Sequence, residues 1–272
     1  MVIIRNYKRV RDFTLGRETF GRILYPVHSY LIDTILIDTG PISAEKHFLP
    51  VIEKEKKFIH QIVNTHSHED HIGNNDTIQK MTDADIYIHS KGLNFLTNPK
   101  SLKLYPYQKF FWGTPKPSIA KPIKDTITGS QYSFDIIHTP GHSEDHICIY
   151  EPENRIIFTG DLYWGQKIIS FRPCDDFFTI RQSLEKLVNL EIDTLYCGFR
   201  GRVDHANEAI DRKLAYMETL EQSVKKYASQ GYDIKSIIKK TLGRENSMKW
   251  LTSRQFTKEN VILSILSAGS CG

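Results

Sequence analysis

Three imidazoles and two carboxylates fall within six consecutive residues, His66-Ser67-His68-Glu69-Asp70-His71. An apolar stretch, 58–64, reads as a strand ending in Thr65-His66, and a short helix is expected after Gly73. On extended backbone, residues at i and i+2 point to one side, so His66 and His68 can hold one ion together. The turn that follows lets Asp70 and His71 converge from another direction. Imidazole and carboxylate are the ligand types zinc takes, at ~2.0–2.2 Å. A solvated polar turn is the plainer reading, but burying so many ionisable groups without a cation is costly. The mouth of a strand-end crevice is also where open α/β folds place ligands.

Two further segments repeat the device. Thr139-Pro140-Gly141-His142 follows a strand pattern over 132–138, and Pro140-Gly141 makes a tight turn that leaves His142 at a strand end. Phe158-Thr159-Gly160-Asp161 is an apolar strand end, a glycine and a carboxylate just past the tip. Packing alone does not explain three strand ends that each offer a ligand. His146, four residues past His142, fits a supporting or core role rather than ligation.

The rest of the chain sets bounds. Its 272 residues suffice for a substantial core, and 40% hydrophobic with 25% charged residues is an ordinary globular balance. The formal charge of +4 comes with no run of like charges, so neither a nucleic-acid nor a membrane surface is indicated. Apolar runs such as 261–263 and 265–266 are too short for a transmembrane helix, and the first residues lack a signal-peptide pattern. Cys148, Cys174, Cys197 and Cys271 are scattered without a C-x-x-C, which reads as reduced thiols in a cytoplasmic protein.

Strand and helix signals alternate through the first half: strands at 23–32, 34–38, 58–64 and 84–89, and a helix over 43–54 with Ser43 as N-cap. Segment 98–122 has five prolines, five large aromatics and no period, which suits a functional loop or packed cover. Strands are expected at 132–138 and within 146–159, with the turn at Glu153-Asn154. From Thr179 onward the pattern is helical, including 234–242 and 258–268 with Asp233 and Thr257 as N-caps.

Taken in order, Ile37-Asp38-Thr39-Gly40, His66-x-His68-x-Asp70-His71, Thr139-Pro140-Gly141-His142-Ser143 and Thr159-Gly160-Asp161 resemble the metallo-β-lactamase-fold hydrolase superfamily over about residues 20–200. The resemblance implies an α/β fold, a four-layer αββα sandwich, here with extra C-terminal helices. It divides the chain into a catalytic domain over 1–205 and a helical extension over 206–272 packed on it. It also implies that His66, His68 and His142 hold a first metal, Asp70 and His71 a second, and that Asp161 bridges the two. Asp70 would be the catalytic carboxylate. Asp38 would orient the ligand loop from behind. The expected cofactor is zinc, as one or two ions, with iron or manganese also suited to such ligands.

The family usually supplies a last histidine after a late strand. Here Thr194-Leu195-Tyr196-Cys197-Gly198 is followed by Phe199, which cannot ligate. His205 could take that role only if residues 200–204 fold back; otherwise it is a surface histidine at a helix start. Arg200 and Arg202 could meet an anionic substrate group or simply be solvated. The implied chemistry is hydrolysis of a small ester, thioester or lactone by a metal-activated hydroxide, with aromatic residues of 98–122 and Tyr163-Trp164 as a wall over the metals. Alternatives are a phosphodiesterase or nuclease, slightly favoured by Arg172, Arg200 and Arg202, and a metal-binding protein with reduced turnover at the Phe199 position. The expected partner is a small molecule, with neither membrane nor nucleic acid, and the tail helices could form a homodimer surface.

Overall fold

The computed structural model describes residues 1–245 and 248–267, apart from the side chain of Met248. Cys271 and the last residue of the expected helix 258–268 lie outside the described residues.

Two sheets face each other. The first runs in chain order from an antiparallel meander, β1 (Val2–Tyr7), β2 (Val10–Thr19), β3 (Arg22–Ile32) and β4 (Ile35–Ile37), into parallel β5 (Gln61–Val63), β6 (Asp85–Ile88) and β7 (Ala120–Pro122). The second contains β8 (Thr126–Thr128), β9 (Ser133–His138), β10 (Ile147–Glu151), β11 (Ile156–Phe158), β12 (Thr194–Cys197) and β13 (Gly201–Asp204), in reverse spatial order from β13 to β8. It is antiparallel except where β11 meets β12.

Period-two alternation decides which side chain goes to which layer. Tyr30, Ile32, Ile35, Ile37 and Val63 of the first sheet meet Phe134, Ile147, Ile149, Phe158 and Tyr196 of the second, and this is the central core. Their strand neighbours Leu31, Leu36 and Ile62 point outward, against Phe48 and Ile52 of helix α1 (Glu45–Glu55). Both faces of these strands are covered, which is why they read as unbroken apolar runs. On the other flank Cys148, Ile157 and Leu195 pack in one cluster with Leu184, Ile210, Met217 and Ile262 from the later helices. The order is therefore helix, sheet, sheet, helix, an α/β fold of the four-layer type.

The remaining helices are α2 (Glu69–Ile72), α3 (Asn75–Thr82), α4 (Leu93–Thr97), α5 (Pro106–Phe111), α6 (Phe177–Glu185), α7 (Ala206–Ser229), α8 (Ile234–Thr241), α9 (Met248–Leu251) and α10 (Lys258–Ser267). Asp233 caps α8 by accepting from the Ser236 amide at 2.8 Å, and the Thr257 hydroxyl accepts from the Asn260 amide at 3.0 Å. Ser43 is not the cap expected of it. Its hydroxyl donates to the Phe111 carbonyl at 2.7 Å, and a 3-10 turn over Ile42–Ala44 leads into α1. Segment 98–122 is not wholly irregular, since α5 and β7 lie in it. Among the described residues, no helix is long and apolar enough to cross a membrane.

Candidate metal centre

The loops after β4, β5, β9, β11 and β12 meet at one edge of the sandwich. Asp38, just past β4, adopts a left-handed backbone (φ 57°). Its carboxylate accepts from the Thr65 amide and hydroxyl, both at 2.8 Å, and lies 2.7 Å from His71 Nδ1. One carboxylate thus ties the end of β4 to the turn after β5. Because an aspartate only accepts, His71 Nδ1 carries a proton and Nε2 faces inward.

The other ligand-type groups converge on that nitrogen. His66, His68 and His142 form one set, and His66, His71 and Asp161 another, each with one ligand atom per residue lying within 4.8 Å of the others. His142 Nε2 is 3.1 Å from His68 Nδ1 and 3.3 Å from Asp161 Oδ2. His71 Nε2 is 3.4 Å from Asp161 Oδ1 and 3.9 Å from Asp70 Oδ2. His146 stands behind them: its Nε2 accepts from the Asp161 amide at 3.1 Å, and its Nδ1 is 2.9 Å from the Thr139 hydroxyl. It therefore holds the Asp161 loop in place.

Two glycines make this convergence sterically possible. A Cβ on Gly160 would lie 2.8 Å from His146 Nε2 and Thr65 Cβ, and one on Gly198 would collide with Asp161 Oδ1. Either substitution would push Asp161 out of the cluster.

Burial shapes the charges. His66 is held well below its usual pKa, by burial first and then by the neighbouring imidazoles of His71 and His68. Burial also opposes the charge on His71, but Asp161, Asp38 and Asp70 outweigh it and hold His71 well above its usual value. Asp161 is the converse: burial would raise it, and His71 and His142 bring it well below the carboxylate range. Burial raises Asp70, and lifts Glu69 to about 7 with help from the Asp70 charge.

Three fully enclosed atoms, His66 Nε2, His71 Nε2 and Asp161 Oδ1, make no hydrogen bond. Buried polar atoms are seldom left so. Two nitrogens and one oxygen converging without partners suit a divalent cation of the zinc or iron type.

A family model for the metallo-beta-lactamase superfamily matches residues 22–198. The chain belongs to the metallo-beta-lactamase superfamily. It is thereby a metal-dependent hydrolase by family. Relatives of this superfamily member include a beta-lactamase-like protein 2 homolog of Drosophila melanogaster, 25% identical over 79% of this chain and 73% of the relative. A hydroxyacylglutathione hydrolase of Brucella ovis is 26% identical over 74% and 69% respectively. Among solved structures, a metallo-beta-lactamase family protein from Thermus thermophilus superposes with a TM-score of 0.70 at 16% identity, covering 95% of this chain and 94% of the other. TTHA1623, solved in a di-iron-bound form, gives 0.55 at 24% identity, over 68% and 93%. These two likenesses concern the fold.

The structure does not bring His205 to the cluster. β13 runs back antiparallel to β12, pairing Asp204 with Thr194, so His205 is exposed at the end of that hairpin far from Gly198. Phe199 instead lines the chamber over the cluster and packs on Trp164, with ring centroids 5.3 Å apart. Arg200 Nε donates to the Trp164 carbonyl at 2.8 Å, and Arg202 pairs with Asp204 at 2.6 Å. Tyr163 is a core residue rather than part of the wall. The wall is made by Tyr107, Trp112, Trp164 and Phe199, joined by Phe256 from the C-terminal segment.

In the sequence Arg172 stands out only as one of three cations. Its Nη2 lies 2.8 Å from His142 Nε2 and 3.3 Å from His68 Nδ1. Nothing in its local sequence announces this, because the contact joins segments far apart in the chain.

Proposed function

We propose that this chain hydrolyses a small ester, thioester or lactone. In this reading His66, His68 and His142 would hold one divalent cation, Asp70 and His71 would hold a second, and Asp161 would be shared between them. Zinc is the first choice, with iron or manganese as alternatives. The observation that carries the reading is the pair of ligand sets sharing His66, buried except for the half-buried His68, beside a cleft of about 820 Å³ that reaches His68 and His142. Phe95, Leu102 and Tyr107 give that cleft an apolar side suited to a small organic molecule.

Bound divalent cations supply Lewis acidity and an activated water. The protein's own residues do the rest. Asp70, whose Oδ2 lies 3.9 Å from His71 Nε2 at the edge of the cluster, would accept a proton there. Asp38 keeps the His71 proton on Nδ1 and so leaves Nε2 free to ligate. Trp164, Phe199 and Phe256 exclude bulk water, which strengthens every charge interaction inside the chamber.

A phosphodiester substrate is less well supported, because two of the three arginines that favour it, Arg200 and Arg202, are engaged with Trp164 and Asp204, and Arg172 alone faces the cluster. The test is metal content on purified protein together with a panel of thioesters, lactones and phosphodiesters. Hydrolysis of the first two, abolished by a chelator and restored by zinc, is the expected result. Turnover of phosphodiesters alone, or none at full metal loading, would overturn the reading.

A further inference from the structure

Arg172 stands where the chamber and the cleft join, and it lines both. Its side chain is only 11% exposed. Phe256 lies beside the guanidinium, with the ring centroid 5.7 Å from Cζ. Asp175 Oδ1 is 3.7 Å from Nη2, while the Arg172 amide donates to Asp175 Oδ2 at 2.7 Å. The Nε–H is buried and makes no hydrogen bond. A buried guanidinium with an unused donor is costly to keep, and no packing need explains a cation in an aromatic chamber.

The contacts of Nη2 point to a use. It donates toward His142 Nε2 and His68 Nδ1, the same two lone pairs that a cation would take in the proposed assignment. An arginine only donates. Once those lone pairs are committed to a cation, the fork loses two acceptors and faces the cleft with the Asp175 carboxylate at 3.7 Å, the Phe256 ring and the nearby Glu69 and Asp70 charges around it.

We infer that Arg172 selects the substrate, by receiving a carboxylate that the ester or thioester carries close to its scissile bond. This rests on the hydrolase reading above and names its substrate class. The fork geometry of guanidinium matches a carboxylate through two parallel N–H···O bonds. Among the described residues lining the chamber, Arg172 is the one guanidinium, set between aromatic rings and the Glu69 and Asp70 carboxylates, so one planar carboxylate matches its fork. Lys91 also lines the cleft, but it is exposed and paired with Glu144 at 3.3 Å.

The experiment compares succinamate with succinamide, which differ by one carboxylate, by calorimetry on metal-loaded wild type, Arg172→Gln and Arg172→Lys at equal metal content. Wild type should bind succinamate about 10- to 100-fold more tightly than the glutamine variant, a loss of one charge-assisted fork, with the lysine variant between them. Succinamide should not distinguish the three proteins. Methyl hydrogen succinate and dimethyl succinate then give a kinetic reading: Arg172→Gln should raise KM for the first by a larger factor than for the second. Equal succinamate affinity in wild type and both variants would overturn the inference, as would tighter binding of a matched phosphonate. Arg172-dependent binding without hydrolysis of any ester would sink the hydrolase reading alone.

Discussion

Replacing Asp38 by asparagine separates folding from metal binding in a way the structure makes quantitative. Asn keeps an acceptor for the Thr65 amide and, after rotation of the hydroxyl, a donor for Thr65 Oγ1, the two bonds now at 2.8 Å. At His71 the exchange is adverse. An amide NH2 placed 2.7 Å from Nδ1 offers a donor where an acceptor stood. The ring answers by moving its proton to Nε2, the nitrogen that faces Asp161 and Asp70. The lost charge-assisted bond costs about 2 kcal/mol of stability, which a well-packed domain tolerates. The displaced lone pair removes a ligand, so affinity for the cation at His71 should fall about 10- to 100-fold. Chelator competition with zinc, read by elemental analysis, gives the affinity, and urea unfolding gives the stability. A variant that folds with wild-type zinc affinity would refute the tautomer argument. One that fails to fold would show that Asp38 is first of all a structural tie.

Four other outcomes follow from the same geometry. His68→Ala and His142→Ala should each lose the cation shared with His66, and full metal content in either variant would contradict the ligand set. Phe199→His places an imidazole on the chamber wall and should tighten the second cation on the order of 10-fold, with an unchanged titration counting against the idea. His205→Ala should leave metal content unchanged, because that residue is exposed at the far end of the β12–β13 hairpin. Lys213, 3% exposed on α7, has its amine lowered by burial from 10.5 to about 8, so its contribution opposes folding below pH 8 and fades as pH rises toward the unfolded value. Lys213→Met should therefore stabilise the protein by about 3 kcal/mol below pH 8, with the gain shrinking toward pH 10.5 in pH-dependent urea unfolding. A constant difference across that range would refute the assignment.

The residues that were legible in the sequence share one property: the signal is local. His66, His142 and Asp161 each follow an apolar strand within a few residues, so strand, tip and polar group can be read together. Strands buried on both faces, such as β4 and β11, are apolar without interruption and equally plain. β1 is hard to read because its exposed residues run Ile3-Ile4-Arg5-Asn6 without period-two alternation, and β2 because buried Asp12 and Thr14 interrupt its apolar pattern. Asp12 is accounted for only by His28, 2.6 Å away on the next strand. Arg172 and Phe256 were unreadable for the same reason: what makes them part of the centre is contact across long sequence separations, with no periodicity to betray it.

The bridge between Phe171 and Thr257, two backbone hydrogen bonds of 3.0 and 3.1 Å, has a temporal side. During synthesis every histidine and carboxylate of the centre has emerged by Asp161, well before the segment that bears Phe256. The ligand set is thus complete in the chain before the wall is, since Tyr107, Trp112, Trp164 and Phe199 precede Phe256 and only the last ring waits for the C-terminal segment to dock. Chains ending before Thr252 would carry every candidate ligand but not Phe256, so completing the ligand set and completing the chamber wall are separate events in the protein's assembly.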